Sequence, residues 1–369
     1  MTAVPAFANC HSHVFHRALR GRITGADSFW TWRDQMYAIA AVLDPDLLFD
    51  LARATYAEMR LAGIRSVGEF HYVHHQPDGA AYDDPNAMAE ALIAAAREAD
   101  LRIALLDTCY LGAGFGRPPE GVQRRFSDGD AEAWARRVEA LAQTHAGEDD
   151  IVIGAAIHSV RAVPRDQLAT VATAFPDAPL HVHVSEQPAE NAECVAATGL
   201  TPVALLAEAG AWTPRTTAVH ATHLSADDIQ TLGAAKSYAC FCPTTEAELA
   251  DGIGPSVALR EAGARLTLGS DSNTVIDMFA EARAVEMHER LATGVRGAWS
   301  ADQLWLAATT TGHESLGFVV TDTIEVVDSV RTVGADELLW AATSSDVEGD
   351  PADTAELLES AIDACWSRA

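Results

Sequence analysis

The sequence predicts a (β/α)8 barrel, and two observations predict it. Short apolar, β-branched runs alternate eight times with longer alanine-rich stretches of helical period, and the residues able to do chemistry gather at the C-terminal ends of those runs. Strand alternating with helix over about 270 residues is the pattern of a parallel barrel, whose active sites are built at the C-terminal rim. A doubly wound open sheet is the other arrangement that such alternation allows. It rarely loads so many strand ends with His, Asp and Glu, and no G-x-G-x-x-G follows the first run, so the barrel is preferred.

In chain order the eight runs are "VPAFANCHSH", "IRSVGEFHYVHH", "LRIALLDTCYL", "DIVIGAAIHSV", "PLHVHVSEQ", "TTAVHATHL", "SYACFCPTTE" and "ARLTLGSDSN". Helical periodicity bounded by glycine, proline or acidic caps marks 45–62, 86–99 and 129–144 between them. After Asn273 the chain reads as mainly helical, with "MFAEARAVEMHERLA" and "SADQLWLAATTTGHESLG" as its clearest segments. From Phe318, "VVTDTIEVVDSVRTV" has strand-like composition and "DPADTAELLESAIDACW" reads as a terminal helix with an acidic first turn. A catalytic barrel is therefore expected over 1–317, followed by an extension over 318–369.

Composition narrows the partners. The 369 residues carry 25 basic against 53 acidic side chains, a formal net charge of −28, which repels nucleic acid and anionic membranes. Lys236 is the sole lysine, so the positive charge is almost all arginine. The six cysteines lack the dense spacing of a disulfide framework, no signal segment opens the chain, and no apolar run reaches about 18 residues. The expectation is a cytoplasmic protein with neither a nucleic-acid nor a membrane partner. Cys240 and Cys242 read as buried wall residues, His74 and His75 as loop residues beyond the rim, and Trp30 and Trp32 as core or lid.

Residues two apart on a strand share a side, so His11 and His13 at the end of the first run can both face the barrel mouth. An isolated H-x-H is weak. Repetition strengthens it: the fifth run ends in His181, His183 and Glu186, the sixth supplies His220 and His223, and the eighth ends in "GSDS" with Asp271. His11, His13 and His183 as nitrogen ligands and Asp271 as an oxygen ligand make a set for one divalent ion, Zn2+ above iron, nickel or manganese, with a position left for water.

This constellation resembles the amidohydrolase superfamily, whose barrels carry H-x-H on the first strand, histidines on the fifth and sixth and aspartate on the eighth. The lysine that bridges two metals in some members has no candidate here, which is consistent with a single ion. Glu186 is then placed to protonate the substrate nitrogen, Asp271 to take a proton from water and pass it on, and His220 to polarise the electrophile or hold the nucleophile. The strings "DSFWTWRDQMY", "EFHYVHH", "GFGRPPEGVQRRF", "HSVRAV", "HVHVSEQ", "VHATHL", "TEAELADGI" and "GSDS" further resemble formimidoylglutamate deiminases of histidine degradation, over about 9–316. That resemblance implies hydrolysis of N-formimidoyl-L-glutamate to N-formyl-L-glutamate and ammonia. It also implies a small dicarboxylate substrate bound by Arg33, Tyr72, His158 and Arg161, and a homodimer. Arginine suits carboxylates because its planar fork bonds them at two points. His16 departs from the family pattern, which has glutamine there, and puts specificity in question.

Relatives of this type also carry a small β-sandwich formed before and after the barrel. Only ten residues precede His11, and 318–369 lacks the glycine-punctuated strands that would complete such a layer. The expectation is a reduced or absent sandwich, removed naturally or by engineering, with apolar surface exposed on the flank and chemistry retained. Two other readings stay open. One is an amidohydrolase acting on another amidine, a guanidine or an aminated heterocycle, against which the paired arginines argue. The other is an inactive metal-binding remnant, against which the joint presence of Glu186, His220 and Asp271 argues.

Overall fold

The computed structural model describes residues 1–22, 29–327 and 335–369. Ten strands are present among them: β1 (Thr2–Pro5), β2 (Phe7–Ser12), β3 (Ile64–His71), β4 (Arg102–Cys109), β5 (Ile151–Ile157), β6 (Leu180–Val184), β7 (Thr216–His220), β8 (Tyr238–Phe241), β9 (Arg265–Leu268) and β10 (Thr323–Val326). Strands β2 to β9 lie parallel in sequence order, and a bridge between Ser12 and Asp271 closes the sheet on itself. All eight runs legible in the sequence are barrel strands.

The first run differs in one respect, because it divides into two strands. Thr2–Pro5 pairs antiparallel with β10, and only Phe7 onward enters the barrel. Pro5 has no N–H to give to a parallel ladder, so the break falls there. The β1–β10 ribbon is the sole sheet outside the barrel among the described residues. Near it Val319 and Val327 are exposed, at 74% and 40%. Residues 328–333 of the strand-like tail lie outside the described residues.

The helices begin where capping chemistry sets them. Asp44 accepts from the Leu47 N–H ahead of Pro45–Leu61, and Asp130 from the Ala133 N–H ahead of Ala131–Thr144. The segment expected as one helix after Ser300 is two, Ala301–Ala308 and Thr310–Ser315, broken at Thr309. The second brings Gly312 so close to β2 that a Cβ there would lie 3.0 Å from Cys10 Sγ. It leads to Leu316 and Phe318, which pack with Ala8, Cys10, Ala104, Val219 and Cys240 to form the barrel floor. The terminal helix, Ala352–Arg368, docks on the barrel side: Trp366 Nε1 donates to Ala18 O at 2.7 Å and Arg368 pairs with Asp44 at 2.9 Å. No helix among the described residues is long and apolar enough to cross a membrane.

Candidate metal centre and active site

The site sits on the seam that closes the barrel. Asp271 N donates to His11 O and His13 N donates to Asp271 O, both at 2.9 Å, so the final strand connection passes through three of the expected ligands. Asn9 locks the same seam: its side chain donates to Ser270 Oγ at 2.6 Å and accepts from Ser270 N at 2.9 Å. Asn273 continues the lock, donating to Ser12 Oγ and His13 O. Gly269 is required here because a Cβ would lie 2.7 Å from His11 Cβ and 2.8 Å from His11 O.

His11 and His13 both reach the mouth, helped by an irregularity that alternation does not anticipate. Cys10 already packs inward with Val219 and Cys240, and the register against β3 shifts between Asn9 and Ser12. That bulge turns the neighbouring His11 inward as well. At the end of β7, His220 takes φ 65°, and Ser185 and Asp271 are left-handed too, at 55° and 47°. Non-glycine residues in this region are uncommon, and two of these, His220 and Asp271, border one cavity while Ser185 lies between His183 and Glu186, which line it.

The donor atoms converge. His183 Nε2 lies 3.1 Å from His11 Nε2 and 3.2 Å from His13 Nε2, while Asp271 Oδ1 lies 3.4 Å from both His11 and His13 Nε2. A tetrahedral ion with bonds of about 2.0–2.1 Å has ligands about 3.3 Å apart, so the spacing fits. The tautomers fit as well. His13 Nδ1 donates to Phe70 O at 3.0 Å and His183 Nδ1 to His158 O at 2.9 Å, which leaves two bare Nε2 lone pairs facing each other. A cation between them would relieve that repulsion while both rings stay neutral. Burial, then the neighbouring histidines, hold His13 and His183 well below the ordinary histidine range, as metal ligation requires.

Three further ionisable side chains, His220, Glu186 and Glu246, stand beside these donors. His220 Nε2 is 4.0 Å from Glu186 Oε1 and 3.9 Å from Asp271 Oδ2, and its Nδ1 is 3.4 Å from Glu246 Oε1. Burial alone would lower the His220 pKa, but Glu186, Glu246 and Asp271 outweigh it and raise it well above the ordinary value. Burial raises the Glu186 carboxyl, with Asp271 and Glu246 adding to it against His220 and Arg161. Asp271 is held low: burial opposes ionisation, yet the His11 hydrogen bond and the proximity of His11 and His220 prevail.

His16, Arg33, Tyr72, His158 and Arg161 line the same cavity as Glu186 and His220. His16 Nε2 lies 3.0 Å from the Tyr72 hydroxyl, and the Arg33 guanidinium sits 5.5 Å from the Tyr37 ring centre. Burial pushes His16 and His158 each down to about 3. The structure therefore brings every residue singled out for ligation, catalysis or substrate binding to one mouth. His181 lies deeper and buried, and His223 bonds the Asp251 carbonyl at 2.7 Å, half-buried. Trp32 lines the cavity, whereas the Trp30 side chain lies outside the description. His74 and His75 are in the loop after β3 but buried, where they accompany Asp107, Asp128 and Arg137. Cys240 and Cys242 are buried.

Sequence reasoning missed Glu246, the partner of His220. It missed Gln123, whose amide donates to the Tyr37 and Tyr110 hydroxyls at 3.0 and 2.9 Å inside the cavity, and it missed Glu190. The strings "TEAELADGI" and "GVQRRF" contain the first two, but nothing in their spacing marks them as site residues.

A parallel barrel that gathers imidazoles and carboxylates in one cavity at its C-terminal rim has the architecture of a hydrolase of the metal-dependent class. The chain belongs to the Amidohydrolase family, whose model matches residues 2–326, and it is a hydrolase of carbon–nitrogen bonds. It is 38% identical over 328 residues to formimidoylglutamate deiminase of Pseudomonas aeruginosa, a match covering 85% of this chain and 72% of that protein. It is 27% identical over 319 residues to 5-methylthioadenosine/S-adenosylhomocysteine deaminase of Teredinibacter turnerae, covering 85% of this chain and 66% of the relative. Among solved structures, an amidohydrolase from Brucella melitensis superposes with a TM-score of 0.90 at 31% identity, covering 99% of this chain and 90% of that one. An adenosine deaminase from Xanthomonas campestris with bound zinc superposes at 0.84 and 22% identity, covering 99% and 86%, a likeness of fold.

Proposed function

We propose that this protein hydrolyses N-formimidoyl-L-glutamate to N-formyl-L-glutamate and ammonia, a step of histidine degradation, with one zinc ion held by His11, His13, His183 and Asp271. The observation that carries the reading is the polarity of the cavity. One side presents Glu186, His220 and Asp271, suited to an amidine, and Arg33 and Arg161 line the same space, suited to carboxylates. A neutral heterocycle has no use for two arginines. The likeness to the Pseudomonas enzyme supports the same substrate.

When bound, the ion supplies Lewis acidity and lowers the pKa of a coordinated water toward neutrality. The chain's own residues do the rest. Asp271, kept ionised, accepts a proton from the attacking water. His220, beside Glu246 and Asp271, donates a hydrogen bond toward the reacting oxygen. Glu186, whose carboxyl is pushed up by burial, gives a proton to the departing nitrogen. The balance closes when Asp271 passes the water proton on to the same nitrogen, the carbon–nitrogen bond breaks as the carbonyl forms, and the remaining hydroxyl proton returns to Glu186, so that the two hydrogens of water are the two that ammonia gains. Arg33 and Arg161 hold the two carboxylates while Tyr72, His16 and His158 surround the chain between them.

The test is ammonia release from N-formimidoyl-L-glutamate by zinc-loaded protein, with Asp271→Asn and Arg161→Ala beside it. Loss of activity in the first and a raised KM in the second are expected. A folded, zinc-bound wild type that releases no ammonia refutes the assignment.

A further inference from the structure

Glu190 has no part in the chemistry above, yet it is built into the cavity. It lies in the first turn of Pro188–Thr198 and is 4% exposed, lining both the catalytic cavity and the wider vestibule that shares Arg33 and Arg161 with it. One carboxylate oxygen, Oε2, accepts from the Glu186 N–H at 3.2 Å, which fixes the side chain. The other, Oε1, is buried and has no hydrogen-bond partner among the described residues. A buried acceptor without a donor is costly unless a ligand supplies one. Arg161 and Glu186 are the charged groups that act on it most strongly.

A cation and an unfilled acceptor lining the same space match a ligand whose carboxylate and N–H sit on one carbon. We propose that Glu190 is a specificity-determining residue: Oε1 accepts the N–H of the substituted amidine nitrogen while Arg161 binds the neighbouring α-carboxylate. The assignment rests on the proposed reaction and narrows it. The substrate class is the N-formimidoyl derivative of an α-amino acid. An amidine whose carboxylates lie only at the far end of its chain cannot satisfy both groups.

The experiment pairs turnover with binding. Ammonia release is measured for N-formimidoyl-L-glutamate and its N-methyl analogue, which lacks the N–H, with wild type, Glu190→Ala and Glu190→Gln. Calorimetry follows binding of N-formyl-L-glutamate and N-methyl-N-formyl-L-glutamate to the same zinc-loaded proteins. In wild type, N-methylation should cost roughly ten- to a hundredfold in kcat/KM and in affinity, the loss of one buried hydrogen bond. In Glu190→Ala the two ligands of each pair should differ by less than about threefold, and Glu190→Gln, which keeps an oxygen acceptor, should restore part of the discrimination. Equal penalties in wild type and Glu190→Ala overturn the assignment, as does failure of both formyl ligands to bind folded wild type. Discrimination in binding without ammonia release upholds Glu190 and refutes the reaction instead.

Discussion

Replacing Gly269 by alanine tests whether the barrel seam and the metal centre are one structure. The backbone of Gly269 lies outside the left-handed region, so alanine adopts it without strain. On that ground the change should stabilise the fold by about 0.4–1 kcal/mol, through loss of freedom in the unfolded chain. The added Cβ, however, would stand 2.7 Å from His11 Cβ, 2.8 Å from His11 O and 2.9 Å from His11 N. These atoms belong to a strand fixed on both sides and cannot swing away as a side-chain tip does. Overpacking of this kind costs about 1–3 kcal/mol, occasionally more, so steric cost should exceed the entropic gain and leave a net loss of roughly 1–2 kcal/mol. The displaced His11 carbonyl is also the acceptor for Asp271 N, so ligands on both strands should move apart and zinc affinity should fall about ten- to a hundredfold. Urea unfolding of the metal-free protein and zinc competition against a chromophoric chelator read the two effects. A more stable variant, or one with unchanged zinc affinity, would refute the coupling.

Three further outcomes are expected. Glu246→Gln keeps an oxygen for the Cys242 N–H but removes the charge beside His220, so kcat should fall about ten- to a hundredfold with little change in KM; an unaltered kcat would show that the pair is idle. Burial, then Arg137, lowers His74 to about 4, so between pH 4 and 6.5 the unfolded chain binds more protons there and stability falls as pH drops, by up to about 1.4 kcal/mol per unit. Asp107, depressed when folded, loses its contribution only at lower pH, so urea midpoints for His74→Asn should show a flatter slope in that window, and parallel slopes would contradict this. Chelating zinc from protein equilibrated at a hundred times its Kd should cost about 2.7 kcal/mol of unfolding free energy, and a Tm independent of free zinc would exclude a folded-state site.

The fold was legible because each barrel strand is a short run too apolar to be a surface, ending in residues too polar to be core. The candidate ligands were legible because imidazoles and a carboxylate recur at four strand ends, a pattern that a single motif never shows. Glu246, Gln123 and Glu190 were not legible. Glu246 lies in the first turn of a short helix after β8, Gln123 in a 3-10 turn after β4, and Glu190 in a helix after β6. Each reads locally as an ordinary polar helix-start residue, and only closure of the barrel brings it to the mouth. The break at Thr309 was hidden for a similar reason, since what limits Gly312 is its approach to Cys10, about 300 residues away in the chain.

Period-two alternation also understates how much chemistry one rim can hold. It allows every second residue of a strand to face inward, yet Cys10 and His11 both do so, as do Val219 and His220. The bulge in β2 supplies the first exception and the left-handed backbone at His220 the second. Each left-handed non-glycine residue costs of order 1–3 kcal/mol and persists only where its surroundings hold it. Here the bonds doing so are visible: Ala221 N to Val184 O at 3.1 Å beside His220, His223 N to Ser185 O at 3.0 Å, and the paired seam bonds around Asp271. The same main-chain bonds tie β6 to the end of β7 and β9 to β2, the strands that carry the imidazoles and the carboxylate. Strain and the proposed ligation therefore rest on one set of contacts, and a change that loosens those contacts should be felt as lost metal affinity before it is felt as lost fold.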